Sequence, residues 1–391
     1  MSLEKFQPKT IDLKALAAYD SLARARAILD VEDSLKQTGF LLMTGIYGNS
    51  QSQISSKELE ALKTLSEKFF SLEERIKEKY VHIGSGGEDG YTAFATEAGV
   101  DPVTGEKGIP EPKEFYQLRL APAKINGVRK IEEVPQLTYL MFQIQNALQI
   151  NSRLLIEAVA EILDKPKDYF QRLDRLEEGN FENSVLRNIH YPAETLPKVQ
   201  NVYQNFLDAG KVAYRAAPHK DINRITTLLL AQSSRGLQIK PQKSPEFIDV
   251  ELNGADAVGN TGELLEIMSG GLFQATLHQV VAYGNSPSSR YSFPFFDHPV
   301  NLEDQGLPLL VSGQKHREFY KNSFVEIYGQ ETFNQLNESE MEEIGNGPTQ
   351  ILYKDALLNR LVDIGNFPAS DPIAQKPWRD QKPRKAFVLE R

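Results

Sequence analysis

The 391-residue chain contains no cysteine. Disulfides, thiolate nucleophiles, zinc fingers and iron–sulfur clusters are thereby excluded, and a reducing cytoplasm is the natural expectation. Histidine is scarce, with only six residues. No block of basic residues exists and the formal net charge is -9, so nucleic acid is not an expected partner. Long apolar runs are missing too. The stretches Phe40 to Met43 and Thr226 to Ala231 are far too short to span a bilayer, so no membrane partner is expected. The opening MSLEKFQPKT offers no apolar signal core. There is no internal repeat. The glycine-rich run Gly84 to Gly90 lacks the Gly-Lys-Ser/Thr ending of a phosphate loop, and Glu88 and Asp89 would repel phosphate. It reads instead as a mobile loop at a pocket mouth.

What is present is the balance of a globular protein, 40% hydrophobic and 25% charged, on a chain long enough for a large core. Apolar residues at helical spacing predict helices over about 20 to 38, Ser56 to Tyr80 and about Leu137 to Leu163. Gly39 ends the first, and Phe40 to Met43 reads as a buried strand. From about Ser184 the chain turns β-rich: Val185–Tyr191, Ile225–Ala231, Gly236–Lys240, Phe247–Leu252, Phe273–Ala282 and Arg290–Phe296 are separated by Gly, Asn, Ser and Pro turns. The expected class is α+β with a mainly β core, a sandwich, barrel or jelly roll flanked by N-terminal helices. Three regions follow: a helical and loop region over 1–125, a long helix with the β core over 126–300, and an extension over 301–391. The extension opens on a helix-like segment, Arg317 to Tyr328, and ends in a polar tail.

The most informative residues are His219, Asp221 and His278. They stand as His-x-Asp, a gap of 56 residues, then His. Two imidazoles and one carboxylate on one face of a metal leave the other face open, which suits ferrous iron meeting a co-substrate and dioxygen. On an extended chain positions i and i+2 point the same way, so His219 and Asp221 can converge on one ion. His278, inside Gln274 to Val281, is expected on the opposite wall of the same barrel. Arg290 and Ser292 share a face of another extended segment and offer a cationic fork and a hydroxyl to a carboxylate. An Arg290–Asp297 salt bridge would satisfy the same arginine. Among the remaining histidines, His190 is expected to face away from the site and His298 to end a strand. Phe293 and Phe295 read as core. Tyr91 and Phe115 fit either the pocket border or plain packing.

Further motifs run in order along the chain. His219-Lys220-Asp221 is followed by Thr226-Thr227-Leu228-Leu229-Leu230 and Gly236-Leu237-Gln238-Ile239. Then come Asn260-Thr261-Gly262-Glu263-Leu264-Leu265, Thr276-Leu277-His278-Gln279-Val280-Val281 and Arg290-Tyr291-Ser292-Phe293-Pro294. Upstream stand Gly39-Phe40-Leu41-Leu42, Gly90-Tyr91 with Glu97, and Lys113-Glu114-Phe115. This string resembles the isopenicillin N synthase-like family of Fe(II)/2-oxoglutarate-dependent oxygenases over about residues 8 to 300. The resemblance implies a double-stranded β-helix, a distorted, cupin-like jelly roll. It implies Fe(II) on His219, Asp221 and His278, with 2-oxoglutarate as co-substrate held at its distal carboxylate by Arg290, Ser292 and Tyr191. Ascorbate would serve as reductant. The implied activity is hydroxylation, desaturation or cyclisation of a small-molecule substrate with O2, giving succinate and CO2. The chain departs from the family pattern at Ile189, where many plant members carry asparagine. Gln279 follows the last ligand in place of arginine, Lys220 separates the first two, and Glu263 replaces aspartate. An iron oxidase that does not use 2-oxoglutarate fits the same residues, as does a non-catalytic barrel that binds a small carboxylate. The substrate and the oligomeric state stay open.

Overall fold

The computed structural model describes residues 6–18, 21–46, 54–81, 89–100, 107–119, 130–176, 183–230 and 235–300, with short isolated stretches beyond 300. The Gly84 to Gly90 run lies outside the described residues except for Asp89 and Gly90. Of the Arg317 to Tyr328 segment, Glu318, Lys321, Asn322 and Val325 are described, all helical.

The N-terminal part alternates short strands with helices. Strand β1 (Thr10–Asp12) leads into α1 (Leu13–Ala17) and α2 (Leu22–Gln37). Ser21 caps α2 by accepting from the Arg24 amide. The helix stops at Gly39, whose φ of +68° favours glycine, and a Cβ there would lie 2.3 Å from the Gln274 carbonyl and the Thr276 hydroxyl. Strand β2 (Phe40–Thr44) follows at once, then α3 (Ser56–Phe70), which opens on a Ser55/Glu58 capping box. The continuous helix predicted to Tyr80 is broken. The Ser71 hydroxyl donates to the Lys68 carbonyl and closes the last turn, Glu73 is extended, and a separate helix α4 covers Glu74–Lys77. Strands β3 (Gly90–Thr92), β4 (Ala98–Val100), β5 (Lys107–Pro110) and β6 (Glu114–Arg119) precede the long α5 (Pro135–Ile162) and the short α6 (Tyr169–Leu173).

The β core continues with β7 (Val185–Tyr191), α7 (Pro197–Asp208), β8 (Tyr214–His219), β9 (Ile225–Leu229), β10 (Leu237–Lys240) and β11 (Ile248–Asp249). Strand β12 (Ala257–Thr261), α8 (Glu263–Met268), β13 (Leu277–Val281) and β14 (Arg290–Asp297) complete it. An eight-stranded sheet runs β1-β2-β12-β9-β14-β7-β6-β3, and a four-stranded sheet runs β11-β10-β13-β8. The large sheet thus draws on both the N-terminal part and the β-rich part of the chain.

Side-chain alternation explains how the sheets stack. In β2, Leu41 and Met43 join the large core with α1, α2, α3 and α5, whereas Phe40 and Leu42 turn the other way. There they pack with Val258 of β12 against Ala216, Leu237, Ile239, Ile248 and Val280 of the small sheet. Phe293 and Phe295 of β14, both fully buried, point to the helices, each contributing roughly 1.5–3 kcal/mol by burial. Their alternates Arg290 and Ser292 therefore face between the sheets. The two sheets form a double-stranded β-helix with α1, α2, α3 and α5 on the outer face of the larger one.

Candidate active site

His219 ends β8, and Asp221 lies two residues on, beyond the strand. His278 does not stand on the opposite wall. It lies on β13, the antiparallel neighbour of β8, and is paired in register with His219. The imidazole centroids are 4.2 Å apart. Asp221 Oδ1 sits 3.7 Å from His219 Nε2 and 3.8 Å from His278 Nε2, and one donor atom of each residue lies within 4.8 Å of the others.

The remaining polar atoms of the three side chains are committed elsewhere. His219 Nδ1 donates to the Ala217 carbonyl at 2.8 Å, and His278 Nδ1 donates to the Thr276 carbonyl at 3.1 Å. Each bond places the proton on Nδ1, so Nε2 is the ring nitrogen that carries the lone pair. Asp221 Oδ2 accepts from the Thr226 hydroxyl at 2.6 Å and the Asn260 amide at 2.7 Å, which leaves Oδ1 as the inward oxygen. Burial pushes the Asp221 carboxyl up, but the imidazoles and these two hydrogen bonds outweigh it and hold it below its usual range. Burial, reinforced by His219, pushes His278 down to about 4, so it is neutral and ligand-ready at pH 7. The Phe40 and His278 rings meet in a T-shaped contact with centroids 5.3 Å apart.

The turn after β12 locks the Asp221 loop. Glu263 N–H donates to the Asp221 carbonyl at 2.7 Å, and Gly262 N–H donates to the Arg224 carbonyl at 2.9 Å. A Cβ on Gly262 would lie 1.9 Å from the Asn223 carbonyl, so glycine alone permits this approach. Arg224, fully buried, clamps the loop from behind through Asp297 at 2.8 Å and Asp174 at 2.7 Å. Lys220 turns away from the triad to Glu266 at 3.3 Å.

Asp297 is thus the partner of Arg224, and the salt bridge considered for Arg290 does not form. Arg290 is buried opposite Tyr191 in the β14–β7 ladder, with Ser292 opposite Ile189. Its guanidinium donates to the Arg235 carbonyl at 3.1 Å and lies 5.9 Å from the Tyr191 ring centre. Its Nε is buried without a partner among the described residues. Burial pushes the guanidinium down to about 10, and Arg215 adds to this. A cation in this state calls for an anion, and a carboxylate matches its fork. Burial also pushes the Tyr191 phenol up, so it stays protonated and able to donate.

Farther along the inner face of β7 stand Ile189, in an apolar cluster with Tyr191 and Phe115, and Arg187. Arg187 lies over Phe115 at 4.2 Å and 5.4 Å from Phe296, and binds Gln117 at 2.5 Å and Glu97 at 3.2 Å. Lys113 bridges Glu97 at 2.6 Å and Glu111 at 2.5 Å. Burial pushes Glu97 up, but Arg187 and Lys113 more than offset it and hold it near 2. Phe115 therefore borders the interior. Tyr91 does not: it packs in the outer core and bonds Glu114 at 2.5 Å. His190 also faces outward, bonded to Glu114 at 2.8 Å and stacked between Phe70 and Tyr291. His298, just past β14, is buried.

Residue pattern gives Glu111 and Arg187 no functional role. Glu97 and Asn260 stand in the motif string without one, and of the two only Asn260 carries a local signal, its turn with Gly262. Glu194, fully buried, is equally silent in the sequence. It accepts from the amides of Tyr283, Asn285 and Ser286 at 3.0–3.2 Å and pairs with Arg215, fixing the turn before Arg290.

Residues 182–299 match the 2OG-Fe(II) oxygenase superfamily, and residues 9–136 match the N-terminal family described as non-haem dioxygenase in morphine synthesis. The chain is 24% identical over 298 residues to the 2-oxoglutarate-Fe(II) type oxidoreductase hxnY of Emericella nidulans, covering 74% of this chain and 78% of that protein. It is 27% identical over 316 residues to the 2-oxoglutarate-dependent dioxygenase citB of Monascus ruber, covering 76% and 86%. The fold is shared with a full-length Neurospora crassa protein solved in complex with alpha-KG, at a TM-score of 0.63 and 21% identity over 81% of this chain and 93% of that one. Among the described residues no helix is long and apolar enough to cross a membrane. With two family models in chain order matching residues 9–136 and 182–299, together more than half of the chain, and the His-Asp-His cluster in place, the chain belongs to the 2OG-Fe(II) oxygenase superfamily and is an Fe(II)- and 2-oxoglutarate-dependent oxygenase.

Proposed function

We propose that His219, Asp221 and His278 bind Fe(II), that Arg290, Ser292 and Tyr191 hold the distal carboxylate of 2-oxoglutarate, and that a small molecule is oxidised beside them. The carrying observation is the division of labour at the triad. Nδ1 of both imidazoles and Oδ2 of Asp221 are held by fixed partners, and Nε2, Nε2 and Oδ1 remain turned to one point. The buried, unpartnered Nε of Arg290 supports the co-substrate role. So does the alpha-KG held by the Neurospora protein.

Bound iron and 2-oxoglutarate supply the oxidation: O2 is consumed, succinate and CO2 leave, and the substrate is hydroxylated, desaturated or cyclised. The protein's share is placement. Arg290 would hold the distal carboxylate of the co-substrate through a charge-assisted contact, with Tyr191 and Ser292 as hydroxyl donors beside it. Phe40 shields the His278 side from water. The substrate lies against the inner face of β6, β7 and β14, where Phe115, Arg187 and Phe296 form a mixed aromatic and cationic wall. Ascorbate is the proposed reductant that keeps the iron ferrous, and the cysteine-free composition favours a cytoplasmic setting.

The test is an anaerobic titration of metal-free protein with Fe(II), then 2-oxoglutarate, following the visible charge-transfer band of a chelated keto acid. Wild type should develop the band, and His219→Ala and Asp221→Ala should lose both iron and band. Tight iron binding without a band would point to an oxidase that does not use 2-oxoglutarate. Undiminished iron binding in both variants would refute the ligand assignment.

A further inference from the structure

We infer that Glu111, which touches neither the triad nor Arg290, is a positioning residue for His219. The inference rests on His219 being an iron ligand, as proposed above. Strand β8 is the edge of the four-stranded sheet, so one row of its backbone groups faces no strand of that sheet. The Ala217 N–H donates instead to Glu111 Oε1 at 2.7 Å. The carbonyl of the same residue accepts from His219 Nδ1 at 2.8 Å. Ala217 therefore stands between a buried carboxylate and the imidazole, and the carboxylate anchors the segment whose carbonyl sets the ring's tautomer and tilt.

Glu111 is itself held from several sides. Its other carboxylate oxygen pairs with Lys113 at 2.5 Å, and Lys113 pairs with Glu97 at 2.6 Å. Its amide donates to the Glu97 carbonyl at 2.9 Å, closing the hairpin of β4 and β5. That hairpin packs on β8 with almost no clearance. A Cβ on Gly99 would lie 3.2 Å from the Ala217 side chain and 3.4 Å from Glu111 Oε1, and one on Gly108 would lie 2.7 Å from the Gly99 carbonyl. Glu111 is only 3% exposed, so little water is at hand to replace its carboxylate at the Ala217 amide. A buried ion pair with Lys113 alone would not require the carboxylate to reach Ala217. The reach is what marks a role toward His219.

The test compares Glu111→Gln, Glu111→Asp and Glu111→Leu. Glutamine keeps an acceptor at full length but gives up the charge facing Lys113. Aspartate keeps the charge but withdraws the acceptor by one methylene. A positioning role predicts anaerobic Fe(II) affinity in the order Glu ≈ Gln > Asp > Leu, with a loss of about 10–100-fold for Leu. A role confined to pairing Lys113 predicts equal affinity in every folded variant, with melting temperature alone following Glu ≈ Asp > Gln. Melting temperature of the metal-free proteins is measured beside it, because loss of the charge pair lowers stability in Gln without moving His219. If Leu does not fold, the Gln-against-Asp order alone decides. Affinities that follow the charge-pair order, or that are equal in all folded variants, overturn the inference. His219→Ala is the control. If it leaves iron affinity intact, the ligand assignment fails instead.

Discussion

Replacing Arg290 with methionine should make the metal-free protein more stable and the enzyme unable to hold its co-substrate. The guanidinium is buried and donates to one backbone carbonyl, while its Nε has no partner among the described residues. Burial pushes it from its ordinary value down to about 10. For a base, a lowered folded value means that the charged form costs the fold at every pH below about 10, and the cost fades only above it. The gap corresponds to about 3 kcal/mol at neutral pH. Methionine fills a similar volume without a charge, so the metal-free variant should gain up to that amount, or roughly 3–5 °C in melting temperature for a chain of this size. In the complex the balance reverses. The carboxylate of 2-oxoglutarate loses a buried cationic partner, which costs about 3 kcal/mol or more and weakens its binding by at least about 100-fold. Thermal unfolding of metal-free protein reads the first effect. Titration of the anaerobic Fe(II) complex with 2-oxoglutarate, followed by its charge-transfer band, reads the second. A variant that is markedly less stable and binds 2-oxoglutarate within about threefold of wild type would refute the reasoning and make Arg290 a structural anchor.

Three more expectations rest on the contacts around the site. Asn260→Ala should weaken Fe(II) about tenfold, and Asn260→Ala with Thr226→Val about 100-fold, because Asp221 Oδ2 loses its donors; anaerobic metal titration checks this, and unchanged affinity in the double variant would show that the carboxylate needs no orienting partners. Arg224→Ala should cost about 3–5 kcal/mol in urea unfolding, since Asp297 and Asp174 are left as buried carboxylates without their cation; a cost below about 1 kcal/mol would contradict the clamp. Burial, with Arg119 and Arg224 nearby, pushes His298 down to about 3, so the folded state keeps it neutral while the unfolded chain takes up a proton below about pH 6.5. Stability should therefore fall as pH drops from about 6.5 toward 3, by about 2 kcal/mol at pH 5; urea midpoints across that range should flatten in His298→Gln, and an identical pH profile would sink the assignment.

Much of the molecule is legible in local pattern. Helix α2 shows its extent and its stop at Gly39 in adjacent residues, but not its buried face: Leu22 and Leu29 are exposed, and Ala27, Val31 and Leu35 face the core. The alternation in β14 separates Phe293 and Phe295 from Arg290 and Ser292 before any tertiary contact is known. Helix α7 is harder to read. Pro197 opens it, and Val199, Val202, Tyr203 and Phe206 bury one side, yet it sits in a stretch whose neighbours all have the texture of strands and turns. The break at Ser71 is less visible still, because apolar residues keep helical spacing across it.

The sequence by itself determined the residue types gathered at the candidate site: two imidazoles and a carboxylate suited to a metal, an arginine and a hydroxyl suited to a carboxylate, and a glycine turn after Asn260. Residue type and spacing single these out as candidates, since ligand chemistry and strand period are local. Only the tertiary structure decided who stands beside whom. Strand register made His278 the neighbour of His219 rather than its opposite. Packing gave Asp297 to Arg224 and left Arg290 available for an anion. It also brought Glu111 to a distant edge amide of β8. The physical reason is common to all three. Buried polar groups must find partners wherever the chain brings them, and the choice among distant partners depends on sheet order and the space between sheets, neither of which is written in any short stretch of residues.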